Sequence, residues 1–247
     1  MRLDVYLTDR GYVKSRTSAQ RLIEGGYVSV DGKVIVKSSY QTEESAAVSV
    51  FDNTEYVSRG GYKLMGAIDA FGIEVKDKVA VDIGASSGGF TDCLLQNGAK
   101  FVYAIDSGKG QLAEKISSDA RVESRESVNA RYISKNDFDR KIDIAVMDVS
   151  FISQTLILPA VFDILETGGE LVSLIKPQFE VGRGGVGKNG IVKDEKNRVM
   201  AKNKVCQFAK ELGFDLIGIT ESPIKGGDGN TEYLAYFKKT EIIGLRY

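Results

Sequence analysis

Histidine and tryptophan are both absent from this chain of 247 residues. Without histidine, neither a Ser-His-Asp triad nor an imidazole base can operate, and the usual zinc ligand sets are incomplete. We therefore expect no metal site. Any proton transfer must use Asp, Glu, Lys, Tyr or Cys side chains.

Cysteine is scarce, with Cys93 and Cys206 far apart in the sequence and each within an apolar helical pattern. This pattern is typical of small buried hydrophobic side chains in a reducing compartment. It does not favour a disulfide or a metal site.

Long hydrophobic runs are missing as well. A membrane-spanning helix needs about 20 predominantly apolar residues, and no stretch reaches that length. The N-terminus carries Asp4 where a signal peptide needs an apolar core. We therefore expect a cytoplasmic protein without membrane contact. The net charge of -1 gives no overall basic signal, so a nucleic-acid partner requires cations sorted onto one face.

The first 57 residues read as a small α+β block. Apolar spacing predicts a short helix over 3–7 and a second helix capped by Ser15 or Thr17 and stopped by Gly25-Gly26. Asp31-Gly32 between alternating apolar residues predicts a β-hairpin. A further strand is expected over 47–51.

From residue 58 onward, strands and helices alternate. Strands are expected at 79–83, 101–106, 142–148, 170–175, 214–220 and 233–237, with helices near 90–97, 153–165 and 194–212. Such alternation predicts a mostly parallel sheet covered by helices on both faces. Ligands of these sheets bind beyond the carboxyl ends of the strands, where we expect the chemistry.

A glycine-rich turn follows the first of these strands, and its glycines allow close backbone approach to a ligand. A phosphate-binding loop is excluded because Phe90 follows Gly89, and a dinucleotide fingerprint is excluded because position 86 is serine. The acid-x-Gly-x-x-x-Gly pattern is similar to the first motif of class I methyltransferases. We expect the loop, Asp106 and Asp148 to bind S-adenosylmethionine, with Asp106 accepting hydrogen bonds from the ribose. The loop candidates are Asp82, Gly84, Ala85, Ser86, Gly88, Gly89 and Phe90.

Four charged residues are candidates for the chemistry. Asp148 and Lys176 each close a strand, Glu232 precedes the last strand, and Lys63 lies before the sheet begins. Each alone is a common surface charge, but a lysine closing an apolar strand is costly unless it faces a cleft with acids. Together, two lysines and two acids can act on a hydroxyl group. We expect Lys176 to be the base, with Lys63 and Asp148 positioning it.

These four residues resemble the Lys-Asp-Lys-Glu tetrad of FtsJ-type ribose 2′-O-methyltransferases. The first block is similar to the S4-like RNA-binding domain, on Arg2-Leu3-Asp4, Ser15-Arg16 and the glycines of the hairpin region. Both domains in this order resemble the TlyA (hemolysin A) family, with motifs at 58–64, 84–92, 147–153 and 175–180. One departure is Ser107, where members often carry valine.

The resemblance implies a Rossmann-like class I methyltransferase sheet over 58–247, behind an α+β RNA-binding domain over 1–57. It implies S-adenosylmethionine-dependent methylation of ribose 2′-hydroxyls at cytidines in ribosomal RNA, within ribosomal subunits. Three alternatives stay open: a non-catalytic RNA-binding assembly factor, a small-molecule methyltransferase and a membrane-active hemolysin.

Seven cations are candidate RNA contacts, and phosphate contacts of this kind position RNA without reading its sequence. The domain resemblance favours this role over a solvated helix surface. The candidates are Arg2, Lys14, Arg16, Arg21, Arg59, Arg183 and Lys188. Three aromatic residues flank the tetrad and are candidates for base stacking or for the core: Tyr62, Phe151 and Phe179.

Overall fold

The structure, a computed structural model, describes residues 1–24, 26–50, 55–187 and 190–240. The first block contains two helices followed by three short strands. Their bounds are α1 (Leu3–Asp9), α2 (Arg16–Glu24), β1 (Val28–Val30), β2 (Lys33–Val34) and β3 (Val48–Val50). The helices and the hairpin agree with the sequence prediction.

The hairpin turns at Asp31 and Gly32, which have φ angles of 51° and 75°. Positive φ at both central residues is the signature of the turn that matches strand twist. Strand β3 pairs with the other side of β1, which gives the order β2-β1-β3. The predicted strand at 47–51 is confirmed for Val48–Val50, and Phe51 lies outside the described residues.

The second part of the chain alternates strands and helices, as predicted. Its elements are α3 (Gly60–Phe71), β4 (Val79–Ile83), α4 (Gly89–Gln96), β5 (Phe101–Ile105), α5 (Glu114–Ser117), β6 (Val122–Arg125), β7 (Ile142–Met147), α6 (Leu158–Ile164), β8 (Leu165–Ile175), α7 (Pro177–Glu180), α8 (Glu195–Leu212), β9 (Phe214–Glu221) and β10 (Tyr233–Lys239).

Seven strands form one sheet in the order β6-β5-β4-β7-β8-β10-β9. The five strands β4 to β8 are parallel to one another, whereas β10 runs antiparallel to both β8 and β9. Apolar residues of α3, α4 and α5 pack on one face, and those of α6 and α8 pack on the other. The predicted Rossmann-like α/β class is therefore confirmed.

Two predicted elements differ from the structure. The helix expected over 153–165 begins only at Leu158, after a 3-10 turn at Gln154–Leu156. Pro159 explains this start, because proline lacks an N–H group and fits only the first helical turn. Strand β8 begins at Leu165, earlier than expected, and Leu165 pairs with Ile142 beyond a register shift.

The sequence prediction missed α3 and β6. Strand β6 contains Glu123 and Ser124 and lies at the sheet edge, so it carries no apolar run. Within the described ranges, no helix has both the length and the apolar character required to cross a membrane. Both cysteines are free; Cys93 is buried and Cys206 is half-buried.

Candidate active site

Sheet topology brings the four tetrad residues to one edge. Asp148 follows β7 and Lys176 follows β8, and these strands are parallel neighbours. Glu232 precedes β10, whose first residue Tyr233 pairs with Ile175 at the end of β8. The antiparallel direction of β10 therefore places Glu232 at the same end of the sheet. Lys63 lies on α3, which packs against β10.

The tetrad forms two ion pairs. Lys63 Nζ donates to Glu232 Oε2 at 2.6 Å, and both side chains are buried. Lys176 Nζ lies 2.6 Å from Asp148 Oδ1 and donates to Ser150 Oγ at 2.8 Å. Each lysine is thus held by an acid, and Lys63 and Asp148 line the same cavity.

The glycine-rich turn runs from the end of β4 into α4. Gly84 has a φ of 84°, and a Cβ atom there would overlap the backbone carbonyl oxygen of Asp148. A Cβ atom at Gly89 would overlap Ser58 Oγ and lie 3.0 Å from the amide nitrogen of Gly61. The two glycines therefore let the turn approach the end of β7 and the start of α3 closely.

Two adjoining cavities flank this turn and share Gly84, Ser86 and Asp148. The Asp106 cavity has a volume of 390 Å³, and its further lining includes Gln111, Asn129 and Phe151. The Lys63 cavity has a volume of 240 Å³, and its further lining includes Arg59, Gly60, Ala85, Gly89 and Phe90. Together their linings include Asp106 at the end of β5 and Lys63 and Asp148 of the tetrad.

Asp106 follows β5 and accepts backbone hydrogen bonds from Ser86 at 2.8 Å and Gly108 at 2.7 Å, one on each carboxylate oxygen. A carboxylate has about four acceptor positions, so both oxygens keep acceptor capacity toward the cavity. Asp106 therefore orders the turn and faces the cavity at once.

Of the loop candidates, Gly88 and Asp82 line neither cavity, whereas the others line at least one. Asp82 differs most from its prediction as a cofactor contact. Its side chain is fully buried, and Oδ2 accepts a hydrogen bond from Thr91 Oγ1 at 2.6 Å. Burial raises the pKa of Asp82 to about 7, the Thr91 hydroxyl opposes that shift, and the charge of Asp148 adds to it. Asp82 therefore ties the turn to α4 from below.

Comparison with known proteins identifies the family. The profile of FtsJ-like methyltransferases matches residues 56–239, and that of the S4 domain matches residues 1–48. The chain belongs to the FtsJ-like methyltransferase family. The predicted enzyme class and cofactor are thus confirmed: the protein is a methyltransferase that uses S-adenosylmethionine.

Relatives match over nearly the whole chain. Hemolysin A of Brachyspira hyodysenteriae is 46% identical and spans 96% of this chain and 99% of its own length. The 16S/23S rRNA (cytidine-2′-O)-methyltransferase TlyA of Mycobacterium tuberculosis is 41% identical over 96% of this chain and 89% of its own length. A solved structure named as a hemolysin, from Streptococcus thermophilus, is 43% identical with a TM-score of 0.78 over 98% of this chain and 89% of its own.

The two cavities of this FtsJ-like methyltransferase fit S-adenosylmethionine. Asp106 offers acceptors suited to ribose hydroxyls at one end, and the positive φ of Gly84 leaves the backbone of the turn uncovered in the middle. The tetrad stands at the other end, where Lys63 and Asp148 line the wall. The cofactor supplies an electrophilic sulfonium methyl group when bound.

Two of the candidate RNA-binding residues converge on one carboxylate in the first block. Arg2 Nη2 and Arg16 Nη2 lie 2.9 and 3.0 Å from Asp4 Oδ2. The Arg2 contact in particular lowers the pKa of the Asp4 carboxyl, against the effect of burial, so the carboxylate stays charged. Both arginine side chains remain about half exposed. Asp4 therefore presents a fixed pair of guanidinium groups to solvent.

The other cations are distributed differently. Lys14 is exposed beside α2. Arg59 lines the Lys63 cavity and lies 3.4 Å, through Nε, from the position of a Cβ atom at Gly26 in the first block. Its Nη1 has no hydrogen-bond partner within the described part of the chain. The side chains of Arg21 and Arg183, and the whole of Lys188, lie outside what the structure describes.

The three candidate aromatic residues differ in exposure. Tyr62 packs edge-on against Tyr56, with ring centres 5.0 Å apart, and is half-buried. Phe151 is 92% exposed, has a φ of 63° and contacts Phe179 at 5.2 Å. A bulky residue with positive φ is a strained outlier that surrounding contacts must hold. Phe151 therefore lines the Asp106 cavity while most of its side chain stays exposed to solvent.

Sequence reasoning missed two parts of this site. Ser150, which contacts Lys176, comes two residues after Asp148, so a wider search beyond each strand end would have included it. Asn129 lines the Asp106 cavity in the segment after β6. The same rule would have found it, had the polar strand β6 been recognised.

Proposed function

We propose that this FtsJ-like methyltransferase methylates the 2′-hydroxyl of cytidine ribose in ribosomal RNA, within ribosomal subunits in the cytoplasm. The observation that carries the proposal is the tetrad of two ion pairs, of which Lys63 and Asp148 line a cavity that fits S-adenosylmethionine. The 41% identical TlyA of Mycobacterium tuberculosis supports cytidine in rRNA as the target.

Lys176 is the base in this proposal: its amine, in the neutral form, takes the proton of the 2′-hydroxyl as the methyl group transfers. Asp148 and Ser150 hold its amine from two sides, which fixes the direction in which it accepts a proton. Positioning of this kind is the main requirement, because a sulfonium methyl carbon is already electrophilic. Lys63, which is paired with Glu232, lines the same cavity as Asp148.

We assign the cofactor contacts to the turn and to the strand ends. Asp106 and the segment around Asn129 line the cavity where the adenosine part would lie, and Gly84 to Phe90 border the methionine part. Asp82 acts indirectly, through its bond to Thr91 on α4.

RNA binding is assigned to the first block, with the division between domains placed after residue 57. Arg2, Lys14 and Arg16 are its exposed or half-exposed cations, and Arg59, whose buried Nη1 has no hydrogen-bond partner among the described residues, lines the cavity beside Lys63. Phe151 is the aromatic residue best placed to stack on a base next to the reacting ribose, because it alone of the three candidates is largely exposed.

The test is transfer of labelled methyl groups from S-adenosylmethionine to ribosomal subunits, followed by mapping of the methylated ribose. Lys176→Ala should abolish labelling, while Lys210→Ala, an exposed lysine on α8, should label normally. Wild-type labelling by Lys176→Ala would refute the base assignment. Failure of the wild-type protein to label rRNA while it binds the cofactor would refute the substrate.

A further inference from the structure

A buried carboxylate lies behind the tetrad and is not used by the chemistry described so far. Glu180 ends α7, four residues after Lys176, and is only 5% exposed. Its Oε1 accepts a hydrogen bond from the backbone N–H of Gln154 at 2.7 Å. Its Oε2 accepts from Ser153 Oγ at 2.6 Å and from Lys204 Nζ at 3.0 Å.

Gln154 extends the network to β8. Its Nε2 donates to the carbonyl oxygen of Leu174 at 2.6 Å, and its Oε1 accepts from Ser173 Oγ at 2.6 Å. Gln154, Ser173 and Glu180 are all buried. The pair Ser153-Gln154 is therefore fastened to the strand that precedes Lys176 and to the helix that follows it.

These hydrogen bonds hold one end of the loop 148–152. The same loop carries both residues that contact the Lys176 amine. The loop begins at the end of β7 and meets the network at Ser153. Between those two anchors lie Asp148 and Ser150, the two partners of the Lys176 amine. Phe151, with its strained positive φ, lies in the same stretch. Strain of this kind persists only where neighbouring contacts over-determine the backbone.

The charge on Glu180 suits this task. A carboxylate accepts hydrogen bonds on both oxygens, and charge-assisted bonds are about twice as strong as neutral ones. Burying it is costly unless it is paired. The ammonium of Lys204 on α8, about half exposed, supplies that pairing and also lies 3.2 Å from Ser153 Oγ. A buried acid thus joins the segment that bears Asp148 to the segment that bears Lys176.

We propose that Glu180 is a positioning residue for methyl transfer, because its carboxylate locks the loop 148–152 against the Lys176 segment and so fixes the base. It touches neither cofactor nor RNA in this role. The inference rests on the proposed assignment of Lys176 as base.

The test compares Glu180→Gln with Glu211→Gln, a matched change of an exposed acid on α8. Glutamine keeps the size of the side chain but removes one acceptor and the charge. We expect kcat for subunit methylation to fall about 10- to 100-fold in Glu180→Gln, the range associated with displacements near 1 Å. The dissociation constant for S-adenosylhomocysteine should stay within about threefold by calorimetry, since the bonds of Glu180 do not reach Gly84 or Asp106. Glu211→Gln should match the wild type.

A double-mutant cycle separates positioning from a general structural effect. Ser153→Ala removes one Glu180 contact and leaves those to Gln154 and Lys204. Its kcat should also fall, and the losses in Ser153→Ala and Glu180→Gln should be clearly less than additive on a logarithmic scale, because both act on the same loop. If Glu180→Gln does not fold, Ser153→Ala alone decides by the same comparison of kcat with cofactor affinity.

Two results would overturn the proposal: an unchanged kcat in either folded variant, or a loss explained by a lower fraction of protein able to bind S-adenosylhomocysteine. Lys176→Ala belongs in the same assay. If it is inactive while Glu180→Gln is normal, the positioning role fails and the base assignment stands. If Lys176→Ala is active, the base assignment itself fails.

Discussion

Asp82 makes stability depend on pH. Burial raises its folded-state pKa to about 7, whereas an unfolded aspartate titrates near 3.9. A carboxyl whose pKa is higher in the folded state stabilises the fold fully at pH values below its unfolded pKa. That contribution to the free energy of unfolding is lost as the pH rises through the folded-state pKa. Between pH 5 and pH 8 we expect the wild type to lose about 2 to 3 kcal/mol relative to Asp82→Asn. Urea denaturation of both proteins at several pH values checks this. If the free energy of unfolding changes with pH in the same way in both proteins, Asp82 does not titrate in this range.

The Lys63–Glu232 pair should respond unequally to single and double substitution. Both side chains are buried, so Lys63→Met leaves an unpaired carboxylate and should cost about 3 to 5 kcal/mol. Adding Glu232→Gln removes the uncompensated charge and should recover part of that loss. Thermal unfolding of the wild type, Lys63→Met and the double variant measures the effect. A double variant less stable than Lys63→Met would contradict this account.

At the scale of elements, the turn between β4 and α4 depends on Gly84. Alanine there is strained at φ 84° and collides with the carbonyl of Asp148, so the turn must move. Gly110 is a matched control, because it has a φ of 66° and open space around it. We expect Gly84→Ala to weaken binding of S-adenosylhomocysteine at least about tenfold, since a small misplacement at a pocket can cost this much. Gly110→Ala should bind normally by calorimetry. Equal affinities in both variants would refute a role for close approach at Gly84.

At the scale of the whole molecule, the first block touches the catalytic domain close to the tetrad. Arg59 Nε lies 3.4 Å from the position of a Cβ atom at Gly26, and Lys225 Nζ lies 3.5 Å from that of a Cβ atom at Gly32. Lys225 belongs to the segment that leads to Glu232. RNA held by the first block would therefore approach the cavity from the side of Arg59.

If Arg16 contacts RNA phosphate, its replacement should change the salt dependence of binding. Each lost phosphate contact reduces the slope of log affinity against log salt by about 1. We expect this for Arg16→Gln with rRNA fragments, while the affinity for S-adenosylhomocysteine stays at the wild-type value. Arg121→Gln is the control. Arg121 is an exposed arginine that pairs with Asp119 just before the first residue of β6. An identical slope in Arg16→Gln and wild type would exclude this contact.

Much of the fold followed from local pattern. Apolar strands such as Val79–Ile83, the Asp31-Gly32 turn and the helical pattern of α8 each carry their signal within a few residues, because periodicity and turn chemistry are local properties. The missed strand β6 lacks such a signal because it is polar, and Pro159 shortens α6 from within an apolar run. The missed helix α3 does carry one, since Leu64, Ala67 and Ile68 recur at helical spacing and are buried.

The sequence by itself determined the kinds of residue available for catalysis: no histidine, a set of two lysines and two acids, and a glycine turn that excludes phosphate-loop and dinucleotide patterns. Only the tertiary structure decided how these charges pair. Lys63 meets Glu232 across 169 positions of sequence, and Asp82 is buried below the turn instead of facing the cavity. Burial and ion pairing depend on which distant segments pack together. The periodicity of apolar residues along one helix or strand does not contain that information.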